Sequence, residues 1–307
     1  MESYELALVL ITLGAALVNG ALGYGFSSIT VPLALLFLTN RVLNPALIPL
    51  EVALNAYVLW VNRSAMPAVW RRVLPIVIGL LPGVVIGTAV VSEVNPSWLK
   101  FATFVVLLPL ILVQAAGYRR PIRAEKSVGF VFGGGVGVLY SVTTISGPPL
   151  VVLLSNQGLT QKNFRAALGF IRLAESSFTA VAYASAGLYT AESLALIPFI
   201  LPSIAIGVPI GALIIQHVRA ETFRRVCMSF DAWIVAFGIS TLLQQLGLVV
   251  SALAYLVLVG VALLDTWMLY RFFAVQLPIV KRAEALAAGT GDSGLGAGGP
   301  GLGTRGS

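Results

Sequence analysis

Charged residues are scarce in this sequence. Asp, Glu, Lys and Arg make up 10% of its 307 residues, whereas hydrophobic residues make up 58%. A soluble globular protein carries about 25% charged residues, so this chain could not cover a water-exposed surface of its size. The composition therefore excludes a soluble globular protein and predicts an all-α integral membrane protein, with the lipid bilayer as the solvent of most of its surface.

Cysteine and histidine are almost absent, with Cys227 and His217 as the only members of their kinds. A single cysteine cannot form an intramolecular disulfide, and no thiolate metal site is possible with one thiol. The sequence also contains no nucleophile–base–acid set and no phosphate-binding loop between a strand and a helix. We therefore predict a protein that is not an enzyme and that uses no cofactor and no metal.

Acidic residues are fewer than basic ones, 12 against 19, which gives a net charge of +7. In a soluble domain this excess would suggest a nucleic-acid partner. Here all but three of the basic residues lie in short segments that flank apolar runs, and such basic loops face the cytoplasm. The charge therefore predicts a cytoplasmic C-terminus and no nucleic-acid partner. The basic segments are 62–72, 117–126, 156–165, 217–225 and 271–305.

Seven apolar runs are long enough to cross about 30 Å of hydrocarbon as helices. They cover residues 45–61, 73–91, 98–116, 165–187, 192–216, 226–246 and 248–270. Two further apolar regions, 4–38 and 127–155, are interrupted by polar and helix-breaking residues, at Asn19–Gly25 and at Ser141–Pro149. We predict an interrupted or re-entrant helix pair in each of these two regions.

Region 127–155 lies between two basic segments that we place on the same, cytoplasmic side of the membrane. Its arms of about 14 and 8 residues are too short for two full spans, so we predict a re-entrant hairpin. For region 4–38 two topologies stay open. It forms either a matching hairpin from the opposite face or one broken span.

The two halves of the chain share a pattern. Gly20–Leu33 aligns with Gly137–Leu150, and Gly83-xxx-Gly87 aligns with Gly207-xxx-Gly211. Matching spans run in opposite directions in the predicted topology, so the repeats are inverted, a pattern typical of secondary transporters. We divide the chain into five parts. A first transmembrane repeat (1–116) and a cytoplasmic linker (117–126) precede a second, inverted transmembrane repeat (127–247). An additional transmembrane helix (248–275) and a Gly-rich disordered tail (276–307) follow.

The two interruptions are candidate parts of a substrate site, because non-helical backbone at membrane depth is tolerated only inside protein or beside a water-filled cavity. Free N–H groups at the start of a half-helix and small hydroxyls suit a small anionic substrate. The predicted substrate-binding residues are Asn19, Gly23, Gly25, Ser27, Ser28, Thr30, Ser141, Thr143, Thr144, Ser146 and Gly147. The alternative is that small residues only permit close helix packing, which we favour for Gly83, Gly87, Gly207 and Gly211.

Ionisable side chains inside predicted spans are functional candidates, because charge is costly there. We predict that Arg172, which the repeat alignment sets opposite Glu51, neutralises the substrate anion. Glu51, Asn55 and Glu175 form a predicted ion-coupling group, with H⁺ as the ion. The alternative is a structural Arg172–Glu175 pair on one helix face. Asp231 lies near the end of its predicted span, where we expect its carboxylate to reach water or cap the helix.

Two segments carry a family resemblance: Asn19-Gly-Ala-Leu-Gly-Tyr-Gly-Phe-Ser-Ser-Ile-Thr-Val-Pro32 and Gly133-Gly-Gly-Val-Gly-Val-Leu-Tyr-Ser-Val-Thr-Thr-Ile-Ser-Gly-Pro-Pro149. They resemble the signature segments of the TauE/SafE family, also called the toluenesulfonate uptake permease family, and the resemblance extends over residues 5–270. Members are inner-membrane carriers linked to sulfite, sulfoacetate and sulfonate movement, as exporters or as uptake systems. The second segment is richer in hydroxyls than in many members, which leaves the substrate open.

The resemblance implies a multi-pass protein of the bacterial inner membrane that moves small sulfur-containing anions, sulfite or organosulfonates. Together with the inverted repeat, it predicts a secondary transporter. A passive anion channel and a membrane scaffold without flux are the alternatives. The direction of transport and the coupling ion stay open, and the pattern is compatible with a homo-oligomer.

Overall fold

The computed structural model describes residues 3–22, 25–116, 126–155, 159–214, 220–249 and 251–276. Every regular element in these ranges is helical, which confirms the predicted all-α class. Four features of the sequence lie wholly or almost wholly outside the described residues: Gly23, His217, the predicted linker 117–126 and the predicted tail 276–307.

The α-helices follow one another along the chain with short connections. They are α1 Ser3–Leu22, α2 Phe26–Ala34, α3 Asn40–Asn62, α4 Met66–Glu93, α5 Pro96–Ala115, α6 Lys126–Thr143, α7 Gly147–Ser155, α8 Gln161–Ser185, α9 Ala191–Leu194, α10 Ile197–Ile214, α11 Ala220–Gln245 and α12 Leu256–Arg271. Single 3-10 turns, Arg63–Ala65 and Ala252–Tyr255, precede α4 and α12.

In the described part of the chain, five helical stretches are long and apolar enough to cross a membrane. They are Asn40–Glu93, which contains both α3 and α4, Pro96–Val113, Ala191–Ile214, Arg225–Gln245 and Ala252–Ala274. The predicted loop 62–72 is mostly helical instead. Pro67 lies at the start of α4, where its missing N–H costs nothing, so Arg71 and Arg72 belong to that helix.

Glycines bring α4 and α6 into backbone contact. A Cβ atom on Gly83 of α4 would lie 2.1 Å from the carbonyl oxygen of Gly134, and one on Gly133 of α6 would lie 2.1 Å from that of Ile76. Only glycine permits this approach. The packing interpretation of Gly83 is therefore confirmed, and it extends to the glycine-rich run of α6.

A second glycine contact joins α1 to α10. A Cβ atom on Gly20 would lie 2.0 Å from the carbonyl oxygen of Val208, and one on Gly211 would lie 2.0 Å from that of Leu17. Elsewhere α3 packs against α8, and α5 packs against α11. The first helix of each half thus packs on a long helix of the other half.

The chain divides into two compact units, 1–262 and 263–307. The helix pairs α4–α6, α1–α10, α3–α8 and α5–α11 all lie in the first unit. The described part of the second unit holds the end of α12 and a π-helical turn, Phe272–Gln276, in which the rings of Phe272 and Phe273 meet edge to face.

Both interruptions are shorter than the sequence predicts. Helix α1 continues through Asn19 to Leu22, and α6 continues to Thr143, so the arms around the second interruption have 18 and 9 residues rather than about 14 and 8. The glycine-rich run stays helical because α4 packs directly on its backbone. Among the described residues of the two interruptions, the non-helical ones are Gly25, with a left-handed φ of 106°, and the segment 144–146.

Candidate functional site

The second interruption is a buried helix end whose carbonyl groups all have donors. An α-helix leaves its last four carbonyls without intrahelical partners, and such groups must be satisfied when they are buried. In α6 these belong to residues 140–143. The carbonyl of residue 140 accepts from the Thr144 amide at 2.6 Å, and that of residue 141 accepts from the Tyr183 hydroxyl. The carbonyl of residue 142 accepts from the side-chain amides of Asn44 at 2.8 Å and Asn40 at 3.2 Å. The carbonyl of residue 143 accepts from the Thr144 hydroxyl at 2.7 Å.

Thr144 forms the turn itself. Its φ of 55° is left-handed, an uncommon conformation for a β-branched residue. Its hydroxyl donates a hydrogen bond to the carbonyl of Thr143. The Thr143 hydroxyl accepts the Ile145 amide at 3.0 Å and donates to Leu139 at 2.7 Å. These two hydroxyls therefore hold the backbone of the interruption, and we no longer assign Thr144 or Thr143 as donors to an anion.

A buried cluster lies where the interruptions meet α3 and α8. We call it the carboxylate–guanidinium cluster, formed by Ser27, Glu51, Tyr140, Ser146, Arg172 and Glu175. All six residues are buried, with exposed fractions of 0–4%. Ser27 is the second residue of α2, and Ser146 directly precedes α7. Glu51 lies in α3, Tyr140 in α6, and the remaining two residues in α8.

Glu51 accepts three hydrogen bonds inside this cluster. Its Oε1 accepts from the Ser27 hydroxyl and, at 3.2 Å, from Nη2 of Arg172. Its Oε2 accepts from the Tyr140 hydroxyl at 2.6 Å. Both oxygens of this carboxylate are therefore satisfied by donors from three other helices.

Glu175 is less fully bonded. Its Oε1 accepts from the Ser146 hydroxyl and lies 3.8 Å from Nε of Arg172. Its Oε2 is buried without a hydrogen-bond partner among the described residues. The Arg172–Glu175 pair predicted from the sequence therefore forms, although Arg172 makes its shorter contact with Glu51 on the facing helix.

The two halves contribute equivalent contacts to the cluster. In each half a serine at the start of the short half-helix donates to a glutamate of the next long helix, Ser27 to Glu51 and Ser146 to Glu175. The sequence alignment sets Arg172 opposite Glu51, whereas in these two contacts Glu175 is the residue that corresponds to Glu51. No single offset relates the two pairs, since the serines are 119 residues apart and the glutamates 124.

Arg172 keeps most of its donors unused. A guanidinium has five N–H donors, and Nη2 is the one nitrogen of this side chain with a hydrogen bond in the described part of the chain. Its Nε is buried without one. With both carboxylates ionised, the cluster carries one negative charge in excess. The arrangement can therefore bind a further acceptor at Arg172, at the cost of an unfavourable net charge.

The other predicted residues occupy different places. Asn55 donates to the backbone carbonyl of Arg172 at 3.4 Å, so it contacts the main chain of α8 rather than a charged group. Asn19 and Thr30 are buried, and their side-chain oxygens have no hydrogen-bond partner among the described residues. Gly25 and Gly147 flank the short helices, Ser28 is half-buried in α2, and the Ser141 hydroxyl faces that of Thr179 at 3.4 Å.

Three polar residues of this region were not predicted from the sequence. Tyr140 belongs to the cluster, and Asn40 and Asn44 bind the end of α6. Both asparagines precede the predicted span 45–61, and their only sequence signal is their proximity to that span. Asp231 contradicts its prediction, because α11 extends well to either side of it and its side chain is buried.

A family model described as sulfite exporter TauE/SafE matches residues 8–239 of the chain. This match covers both interruptions and every residue of the carboxylate–guanidinium cluster. No curated protein and no solved structure matches the chain.

Proposed function

Because the chain belongs to the sulfite exporter TauE/SafE family, we propose that it is a secondary transporter of small sulfur-containing anions, sulfite or organosulfonates, in the bacterial inner membrane. The observation that supports this proposal most directly is Arg172. A guanidinium that is buried, held by a carboxylate on one side and left with unused donors matches the oxygen atoms of a sulfite or sulfonate group.

The hydroxyls around Arg172 support an oxyanion as the ligand. Ser27 and Ser146 both donate to carboxylate oxygens in this structure. An oxyanion that enters the cluster offers the same kind of acceptor, so each hydroxyl can exchange one acceptor for the other by rotation. The substrate-binding residues that we retain are Ser27, Ser146 and Arg172, with Gly25 and Gly147 as close backbone neighbours.

We also propose that the architecture is a pair of inverted repeats with the bounds 1–116 and 127–247. The reciprocal packing of α4 on α6 and of α1 on α10 supports this division, as do the two serine–glutamate contacts. In such transporters the substrate site lies near the bilayer midplane, where the interrupted helices of the two repeats meet. The cluster is the place in this chain that fits that description.

A carrier is favoured over a passive channel by the burial of the cluster. A channel requires a continuous water-filled path past its charged groups, whereas Glu51 and Glu175 are both fully buried. An occluded site of this kind is an expected intermediate of alternating access. Burial of an arginine between two carboxylates costs several kcal/mol of desolvation, and a scaffold that transports nothing gains no function from that cost.

The proposal is tested with purified protein in proteoliposomes that are offered radiolabelled sulfite, sulfoacetate or toluenesulfonate. A carrier gives saturable uptake of at least one of these anions, and an internal load of the same anion accelerates the uptake of label. Flux that rises linearly with concentration without such counterflow would identify a channel. The absence of flux for all three anions would contradict the proposed substrate class.

A further inference from the structure

We propose that Glu175 is the proton-binding residue of this transporter and that the substrate anion binds Arg172 only while Glu175 carries a proton. This inference rests on the proposed transport of anions, and it adds the coupling ion and the residue that binds it. It follows from a count of charges in the carboxylate–guanidinium cluster and from the unequal hydrogen bonding of its two carboxylates.

The charge count calls for one added positive charge, which we assign to a proton. With Glu51 and Glu175 both ionised and Arg172 positive, an entering anion meets a cluster with a net negative charge. These side chains are buried, so neither water nor salt screens the repulsion effectively. One proton on either carboxylate leaves a neutral cluster, in which the unused guanidinium donors of Arg172 attract an anion without an opposing charge.

The hydrogen bonds decide which carboxylate takes the proton. Glu51 accepts from Ser27, Tyr140 and Arg172, and three donors stabilise the ionised form of a carboxyl group. Glu175 accepts from Ser146 alone, and its Oε2 has no donor among the described residues. A proton on that oxygen displaces no hydrogen bond, whereas a proton on Glu51 would weaken three hydrogen bonds that the charge of the carboxylate strengthens.

Among the described residues, the titratable groups that act on Glu175 all belong to the cluster. Arg172 faces it from its own helix, Glu51 from α3 and Tyr140 from α6. Helix α7 has no charged or titratable residue in its sequence, GPPLVVLLS. The charged residues of α4 lie in its first two turns and at its last residue: Arg71, Arg72 and Glu93.

The transport step follows directly. A proton from the aqueous phase adds to Oε2 of Glu175, the anion then binds Arg172, and both leave together when the site opens to the other side. The empty carrier returns with Glu175 ionised and paired with Arg172. The anion and the proton therefore move in the same direction, and a monoanion carried in this way moves no net charge.

The test combines anion counterflow with a pH-sensitive dye inside the proteoliposomes, with the anion of the three that the wild type carries fastest. In the wild type, we expect an inward anion gradient to acidify the lumen. We also expect the rate of counterflow to fall by up to tenfold per pH unit once Glu175 is ionised. In Glu175→Gln, which is neutral at every pH, we expect no anion-driven acidification and no loss of counterflow as the pH rises. Glu93→Gln removes a carboxylate outside the cluster and should behave as the wild type does.

Each other result has a definite meaning. Wild-type counterflow without acidification overturns this inference and leaves the proposed transport intact, whereas a wild type without counterflow overturns the transport itself. A folded Glu175→Gln protein that is inactive, or that still acidifies the lumen, also overturns the inference. If Glu175→Gln does not fold, Ser146→Ala replaces it. Loss of that donor makes protonation easier and should move the alkaline limb of counterflow to higher pH, by about one unit or more, and an unmoved limb contradicts the proposal.

Discussion

At the scale of single residues, the site depends on Arg172, which contacts Glu51 on the facing helix α3 and Glu175 on its own helix α8. Glu51, Arg172 and Glu175 are visible in the sequence because charge stands out in an apolar run. The role of Tyr140 cannot be predicted from the sequence, because a tyrosine in an apolar run follows the same pattern as any other large side chain. Its role depends on the contact between α6 and α3, which no local pattern encodes.

The hydroxyl of Tyr140 stabilises Glu51, and its removal tests that role. Tyr140→Phe deletes a hydrogen bond to a carboxylate, so we expect a loss of about 1.5–3 kcal/mol in the free energy of unfolding and weaker anion binding. Tyr183→Phe is a matched control. It removes the hydroxyl that donates to the buried Ser141 carbonyl, and an unsatisfied buried acceptor costs about 1–3 kcal/mol.

Denaturant unfolding in detergent and an anion-binding assay measure the two effects. We expect both variants to lose stability by similar amounts and only Tyr140→Phe to bind the anion more weakly. Equal losses of affinity in the two variants would mean that Tyr140 supports the fold and not the site.

At the scale of the helices, length and apolarity predict which segments are helical, and tertiary contacts decide where the helices end. The predicted spans 98–116 and 165–187 correspond to α5 and α8 within a few residues. The polar and helix-breaking residues from Ser141 onward predict that the first arm of region 127–155 ends at residue 140, whereas α6 continues to Thr143. The carbonyl groups of its last turn accept hydrogen bonds from Asn40, Asn44 and Tyr183, and no local sequence pattern predicts these tertiary contacts.

The glycine contact between α4 and α6 gives a prediction at this scale. Gly83→Ala places a Cβ atom 2.1 Å from the carbonyl oxygen of Gly134, so the two helices must separate. We expect a loss of about 1–3 kcal/mol or more in the free energy of unfolding. Gly135→Ala is the control on the facing helix, because no atom lies within 4 Å of its added Cβ.

Thermal unfolding of the two variants in detergent distinguishes the cases. Gly135→Ala should be neutral or should stabilise the protein by about 0.5–1 kcal/mol, because alanine favours the helix. Similar losses in both variants would show that helix propensity, rather than the approach of α4 to α6, sets the requirement for glycine.

At the scale of the whole molecule, the positive-inside rule predicts a topology in which four positions share the cytoplasmic side. In a Cys227→Ala background, single cysteines are introduced as Pro67→Cys, Pro121→Cys, Thr160→Cys and Glu221→Cys. All four should be protected from a membrane-impermeant thiol reagent in intact cells and should react after the membrane is opened. Glu192→Cys, at the predicted external end of the span 192–216, should react in intact cells.

Two patterns of labelling would change the account. Reaction at position 160 but not at 121 would place the ends of region 127–155 on opposite sides and would exclude a re-entrant hairpin. Protection of Glu192→Cys together with reaction at the other four positions would invert the whole topology. Under the proposed proton coupling, an inward proton gradient then drives uptake whichever way the repeats are oriented, because the coupling fixes the relative direction of the two ions.

The central claim is that a sulfur-containing anion binds at Arg172, and equilibrium binding tests it most directly. The purified wild type, Arg172→Gln and Arg41→Gln are titrated with the radiolabelled anion that the wild type transports. Arg41 is the matched control because its guanidinium binds backbone carbonyls at the end of α4, among them those of Val91 at 2.8 Å and Val94 at 3.0 Å. We expect Arg172→Gln to raise the Kd by about tenfold to a hundredfold. This change corresponds to the loss of a charge-assisted hydrogen bond of about 1.5–3 kcal/mol. Folded Arg41→Gln should keep the wild-type Kd. An unchanged Kd in folded Arg172→Gln would contradict the account.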